Sequence, residues 1–215
     1  MCFYHTHAPF SDPWLINVPY CKLHFDADKD FIISPPALSL SSFEEKAAKK
    51  YLLSFKGDLG FGPNRSFRRN TLKEIINLEI RDSLIVDRDH EIDYQELIKN
   101  SLFSLVLDGD CHWSYRLTEV VNMGSIPVIV VEDDWTNIPF SNLLDYTDFS
   151  ILVHKNKISS LKHTLENIPQ DRVSTLKGNL KLANDGYFSS RDKQVQALLD
   201  FMSSVYPDLP VPKQQ

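Results

Sequence analysis

SLFSLVLDGDCHWSYRLTEVVNMGSIPVIVVEDDWTNIPF, residues 101–140, decides the architecture of this chain. It opens on an apolar run, residues 102–107, of strand length. A polar turn follows, Asp108-Gly109-Asp110-Cys111-His112. Helical periodicity comes next: Leu117, Val120 and Val121 share one face, while Arg116 and Glu119, three apart, share another. Met123-Gly124 ends that helix, because glycine readily takes the left-handed conformation just past a helix end. Residues 126–131 are a second short, β-branched apolar run. Strand, turn, helix and strand, with both strands apolar on both faces, is the pattern of a buried parallel sheet. Ligands of such sheets bind at the carboxyl ends of strands. The turn after Leu107 is therefore the default site, and the helix beginning there turns free N–H groups toward an anion.

Outward from this unit the alternation continues. Strands are expected at 51–55, 84–86 and 149–153, and helices at 71–78, 142–144, 158–166 and twice within 170–206, with a break near Gly186. Asp93 is placed to cap a helix running to Lys99. The expected fold is α/β, a doubly wound, mainly parallel, Rossmann-like sheet over residues 51–206. Residues 1–50 differ: Pro9, Pro13, Pro19, Pro35 and Pro36 interrupt them, leaving a short irregular amino-terminal segment with at most a small strand at 31–33 and a helix start near Ser42. Residues 207–215 read as a loose tail.

Composition excludes several classes. The chain has 215 residues, 42% hydrophobic and 24% charged, which is ordinary for a globular domain. A net charge of −6 argues against general nucleic-acid binding. Cys2, Cys21 and Cys111 are widely spread and odd in number, without zinc spacing, and a chain of this size argues against a disulfide framework; a Cys2–Cys21 pair stays open. No stretch has the length of a transmembrane segment, and no signal peptide is visible, so the chain reads as soluble. The glycine patterns of dinucleotide folds and P-loops, and the nucleophile elbow of hydrolases, are absent.

The residues that can carry chemistry gather at expected strand ends. Arg116 and Glu119 read by default as a surface ion pair. Their place just past a strand end favours another use: a guanidinium suits a pyrophosphate, and a carboxylate one turn later can accept from both hydroxyls of a ribose. Lys56, Arg65, Arg68 and Arg69 follow the first strand. They are either a solvated basic face or the partners of an anion, which would offset the unfavourable placing of cations at a helix start. Asp108, Asp110 and His112 are either turn and cap residues or carry the general base, Asp110 or His112 before the others, with Gly109, between Asp108 and Asp110, in the same substrate-binding turn. Asp133 and Asp134 on an extended chain point apart, so a loop or acceptor contact is expected rather than a metal site. Trp113, Tyr115 and Trp135 are core or stacking residues, and the His5-x-His7 pair lacks a third metal ligand.

The segments DFIISPP (30–36), YLLSFKG (51–57), the arginines at 65–69, and the S-Y-R-x-x-E…G-x-I-P-V-I…D-D…P-F series within 100–140 resemble the exostosin family of glycosyltransferases. The resemblance continues through 143–169. It implies the carboxyl-terminal, nucleotide-sugar half of a GT-B fold, and inverting transfer from a UDP-sugar to a glycan hydroxyl without a metal or other cofactor. It also implies phosphate contacts from Arg116 and from one of Arg65, Arg68 or Arg69, a ribose contact from Glu119, and a cleft shaped by Pro127, Asp133 and Phe140. Two departures stand out. Ser104 and Ser125 occupy positions where family members often have cysteine, which fits a reducing compartment, whereas the family itself implies the Golgi lumen. The acceptor side is reduced to residues 1–50, so a missing domain or a partner chain is the alternative to a self-sufficient enzyme. An α/β domain of another class, without nucleotide affinity, is the third reading.

Overall fold

The computed structural model describes residue 43 and residues 48–59, 66–107, 115–131 and 138–205. Five strands, β1 (Tyr51–Lys56), β2 (Ser83–Val86), β3 (Ser101–Leu107), β4 (Ile126–Val131) and β5 (Ile151–His154), form one sheet in the order β2-β1-β3-β4-β5. Every pairing is parallel. The helices between them are α1 (Ser66–Asn77), α2 (Tyr94–Lys99) and α3 (Tyr115–Asn122); after β5 come α4 (Leu161–Glu166), α5 (Gln170–Ala183) and α6 (Arg191–Val205).

This order is what a doubly wound sheet requires. From β1 the chain steps outward to β2, then returns across β1 to β3 and continues to β4 and β5. Parallel crossovers are right-handed, so the reversal puts α1 on one face and α2 and α3 on the other. Accordingly α2 packs on β1 and β3, α3 packs on β3 and β4, and α1 meets the 3-10 turn Lys155–Ser160 that follows β5. The gap between the ends of β1 and β3 is the point where the winding changes direction, the place at which such sheets open a crevice.

Burial follows the sequence pattern. All of β4 and all but one residue of β3 are buried. Phe103, Leu105, Ile126, Val128 and Val130 have no exposed surface. Removing each such side chain from water contributes about 1.5–3 kcal/mol. A line of hydroxyls crosses this apolar centre. Ser54 Oγ on β1 lies 3.1 Å from Ser104 Oγ on β3, which lies 2.8 Å from Ser125 Oγ just before β4. Each buried hydroxyl thus finds a partner, as interior polar groups must. The two serines at positions where cysteine is common in the resembled family are therefore spatial neighbours.

The corner after α3 closes as its sequence predicts. Gly124 has φ 68°, its N–H donates to Val121 O at 3.1 Å, and Ser125 N–H donates to Val120 O at 3.2 Å. These paired bonds satisfy the last helical carbonyls. The cap of α2 is also as expected, with the Asp93 side chain accepting from Glu96 N–H at 2.8 Å.

Other boundaries moved. Helix α1 begins at Ser66 rather than 71, so Arg68 and Arg69 lie on its first turn. Strand β5 begins at Ile151 rather than 149, because the 3-10 turn Tyr146–Asp148 draws the Phe149 and Ser150 N–H groups back to Tyr146 O. Residues 142–144 form a turn on Phe140 O rather than a helix. The helix expected from 158 to 166 starts as the 3-10 turn Lys155–Ser160 and becomes α4 at Leu161. The break near Gly186 is a single π-turn, Asn184–Phe188, between α5 and α6. The expectations for 1–42, the strand at 31–33 and the tail after 207 fall outside the described residues. No helix among the described residues is long and apolar enough to cross a membrane.

Candidate functional site

Strand β1 delivers Phe55, Lys56 and Gly57 to the carboxyl edge of the sheet, where β1 and β3 part. Helix α3, the first helix after β3, sends Arg116 back to that edge from its first turn. An Arg116 Nη donates to Lys56 O at 2.5 Å. The guanidinium carbon lies 4.4 Å from the centre of the Phe55 ring and 5.3 Å from that of Tyr94 at the start of α2. Three elements thus fix one cation, by a charge-assisted bond to a strand-end carbonyl and by two aromatic rings. Ring contacts of this kind are worth about 0.5–2 kcal/mol each. The bond to Lys56 takes one N–H of a fork that carries several.

Gly57 allows this approach. A Cβ on it would stand 2.6 Å from the Arg116 Nη, closer than nonbonded atoms come. Here the absence of a side chain, rather than backbone freedom, is what the position needs.

Glu119, one turn further along α3, is 9% exposed. The Tyr94 hydroxyl donates to its Oε2 at 2.6 Å. A buried carboxylate needs such a donor, and losing a hydrogen bond to a charged group costs about 1.5–3 kcal/mol. Burial pushes the Tyr94 hydroxyl well above its usual range; Arg116 pulls the other way, while the charge of Glu119 and its hydrogen bond add to the rise. Tyr94 is therefore a neutral donor throughout the physiological range. The default reading of Arg116 and Glu119 as a pair bonded to each other is replaced by two different partners, Lys56 O for one and Tyr94 for the other.

Lys56 turns away from this cluster. Its ammonium donates to His90 O and to Ile92 O, both at 2.7 Å, and ties the loop before α2 to the end of β1. Arg68 and Arg69 stand on the first turn of α1, which starts at the same sheet edge but on the opposite face; Arg68 is half-buried and Arg69 exposed. Arg65, Gly109, Asp110, His112 and Asp133 lie outside the described residues. Pro127 is buried in β4 opposite Ser104. Phe140, with φ 60°, sets its buried ring edge-on to Phe188 at 5.2 Å, and the Tyr146 hydroxyl holds the preceding carbonyl, Pro139 O, at 2.6 Å. A separate open hollow of about 690 Å³ lies against β5, lined by Ile138, Leu143, Tyr146 and Leu152, away from the β1–β3 gap. Tyr94 was not singled out by the sequence. Its only local signal is the Asp93 cap that opens its helix; that it meets α3 is a tertiary fact.

The sheet and its flanking helices define a class, the Rossmann-like domain of GT-B proteins. A solved structure described as the GtfA/B complex superposes on 81% of this chain, and on 39% of its own, with a TM-score of 0.50 at 10% identity. At that identity the likeness speaks for the fold alone. The Exostosin GT47 domain matches residues 23–168, and the chain belongs to that family of glycosyltransferases. Exostosin-1 of Drosophila melanogaster is 28% identical over 77% of this chain and 24% of its own length, and exostosin-1c of Danio rerio is 30% identical over 72% and 23%. A probable glucuronosyltransferase of Oryza sativa subsp. japonica is 27% identical over 73% of the chain and 39% of its own length. The chain thus spans about a quarter of the exostosin-1 relatives.

Proposed function

We propose that this chain binds a UDP-sugar across the ends of β1 and β3 and transfers the sugar, with inversion and without a metal, to a hydroxyl of a glycan acceptor. The observation that carries this is the immobilised Arg116, stacked on Phe55 and Tyr94 at the point where the sheet changes direction, with Glu119 one helical turn away. A guanidinium held before substrate arrives meets developing negative charge without reorganising, and charge fixed in advance in this way supplies much of the acceleration in many such reactions.

In this reading Arg116 holds one phosphate, one of Arg65, Arg68 or Arg69 holds the second, and Glu119 accepts from the ribose. The acceptor oxygen attacks the anomeric carbon from the face opposite the diphosphate. Its proton passes to a base, Asp110 or His112 by sequence; the new carbon–oxygen bond forms, and the bond to the diphosphate breaks with its electron pair staying on the phosphate. Lys56 acts here through the loop it ties down. Whether the sugar is a hexose or a pentose depends on the cleft walls, and a panel of UDP-sugars assayed for turnover resolves it.

Calorimetric titration with UDP tests the reading directly, and a chain that does not bind UDP refutes it. Arg116→Ala lowers turnover by about tenfold or more; unchanged turnover would remove Arg116 from the mechanism. A second reading is a donor-binding module that works only with an acceptor-side partner. Transfer or slow hydrolysis of a UDP-sugar by the purified chain alone would count against it.

A further inference from the structure

We propose that Tyr94 is a positioning residue that presets Glu119 for the paired hydroxyls of a ribose, and so sets how strongly the site prefers a ribonucleotide over a 2′-deoxyribonucleotide. The inference rests on the nucleotide-binding reading above and adds a residue to it.

Three observations support it. Tyr94 and Glu119 belong to different helices and are 25 residues apart, yet the hydroxyl meets Oε2 at 2.6 Å. A glutamate side chain has a broad, soft terminal torsion, and a single donor on one oxygen is enough to arrest it. The same tyrosine faces the Arg116 guanidinium with its ring, 5.3 Å away, so one side chain spaces the cation from the carboxylate. Finally, the hydroxyl reaches only Oε2. A carboxylate accepts through both oxygens, so Oε1 and the remaining lone pair of Oε2 keep acceptor capacity for a vicinal diol. A site built to pair with a substrate hydroxyl discriminates against the analogue lacking it, provided its own acceptor is held in place. Without the phenol the carboxylate rotates. The diol then loses alignment, while an analogue that lacks one hydroxyl has less to lose.

The test compares UDP, 2′-deoxy-UDP and inorganic pyrophosphate by calorimetry on the full chain. Tyr94→Phe keeps the ring, and with it the packing on Arg116. The expected result is a fall of roughly three- to tenfold in the ratio of UDP to 2′-deoxy-UDP affinity, with pyrophosphate affinity little changed. A merely structural role would weaken all three ligands together and leave the ratio as it was; that result overturns the proposal. Glu119→Ala is compared with Glu119→Ala/Tyr94→Phe, a pair in which neither leaves a buried carboxylate unmet, so both can be read even if Tyr94→Phe alone does not fold. Unequal ratios in these two overturn the proposal, since the hydroxyl would then set the preference with no carboxylate to position. Wild-type chain that binds none of the nucleotides refutes the underlying reading and the inference together. Wild-type chain that prefers UDP, with the preference intact in Tyr94→Phe, refutes the inference alone.

Discussion

At the scale of the residue, the site is a matter of close approach. Arg116 reaches the end of β1 because position 57 carries no side chain, and a Cβ there would stand 2.6 Å from its Nη. Gly57→Ala should therefore displace the guanidinium rather than the strand. The expected cost is about 1–3 kcal/mol of crowding, together with roughly tenfold weaker UDP binding as the cation leaves its stacked position. Thermal unfolding and calorimetry on the same preparation check both. Loss of stability with intact UDP affinity would mean that the nucleotide does not use Arg116. The sequence displayed this arginine and Glu119 through their spacing and place after a strand. Gly57 was visible only as the end of the YLLSFKG segment, and Lys56 only as a cation near a strand end. Its bonds to His90 O and Ile92 O depend on how the loop before α2 folds back, which no local pattern encodes.

At the scale of the element, β3, α3 and β4 were legible almost to the residue. Continuous apolar runs bounded by a polar turn and a glycine leave little choice of register. Gly124 is required here by conformation: at φ 68° an alanine is strained, and Gly124→Ala should lower stability by about 1–2 kcal/mol. The urea midpoint measures it, and an unchanged midpoint would mean that the paired bonds closing α3 contribute nothing. Elements after Phe140 were read less well. The backbone there turns on a residue other than glycine at φ 60°, held by a buried ring against Phe188 and by Tyr146 on the carbonyl before it. Such a turn has no composition signal. Residues 142–144, expected as a short helix, instead form a turn from which Leu143 and Leu144 pack against the core.

At the scale of the whole molecule, two buried phenols link folding to alkaline pH. Tyr94 and Tyr146 both hold their protons more tightly than an ordinary tyrosine, in each case chiefly because of burial. The unfolded chain releases these protons near the usual tyrosine value, whereas the folded chain retains them. Their contribution is therefore complete below that value and is lost as pH rises through it toward the folded values. Stability should fall as pH rises from about 9 to about 11, and Tyr94→Phe should flatten part of that fall. Urea midpoints across that range test it, and identical slopes in wild type and variant would contradict the burial assigned to Tyr94.

The sequence by itself determined the order of strands and helices, the two fully apolar strands at the centre, the caps at Asp93 and Gly124, and the family. These are local periodicities and short motifs, and each is encoded within a few neighbouring residues. Only the tertiary structure decided that the sheet reverses between β1 and β3, that Ser54, Ser104 and Ser125 form one buried line, and that Tyr94 joins Arg116 to Glu119. Those contacts join residues tens of positions apart, and their partners are chosen by the winding of the chain, a global property that no window of sequence contains.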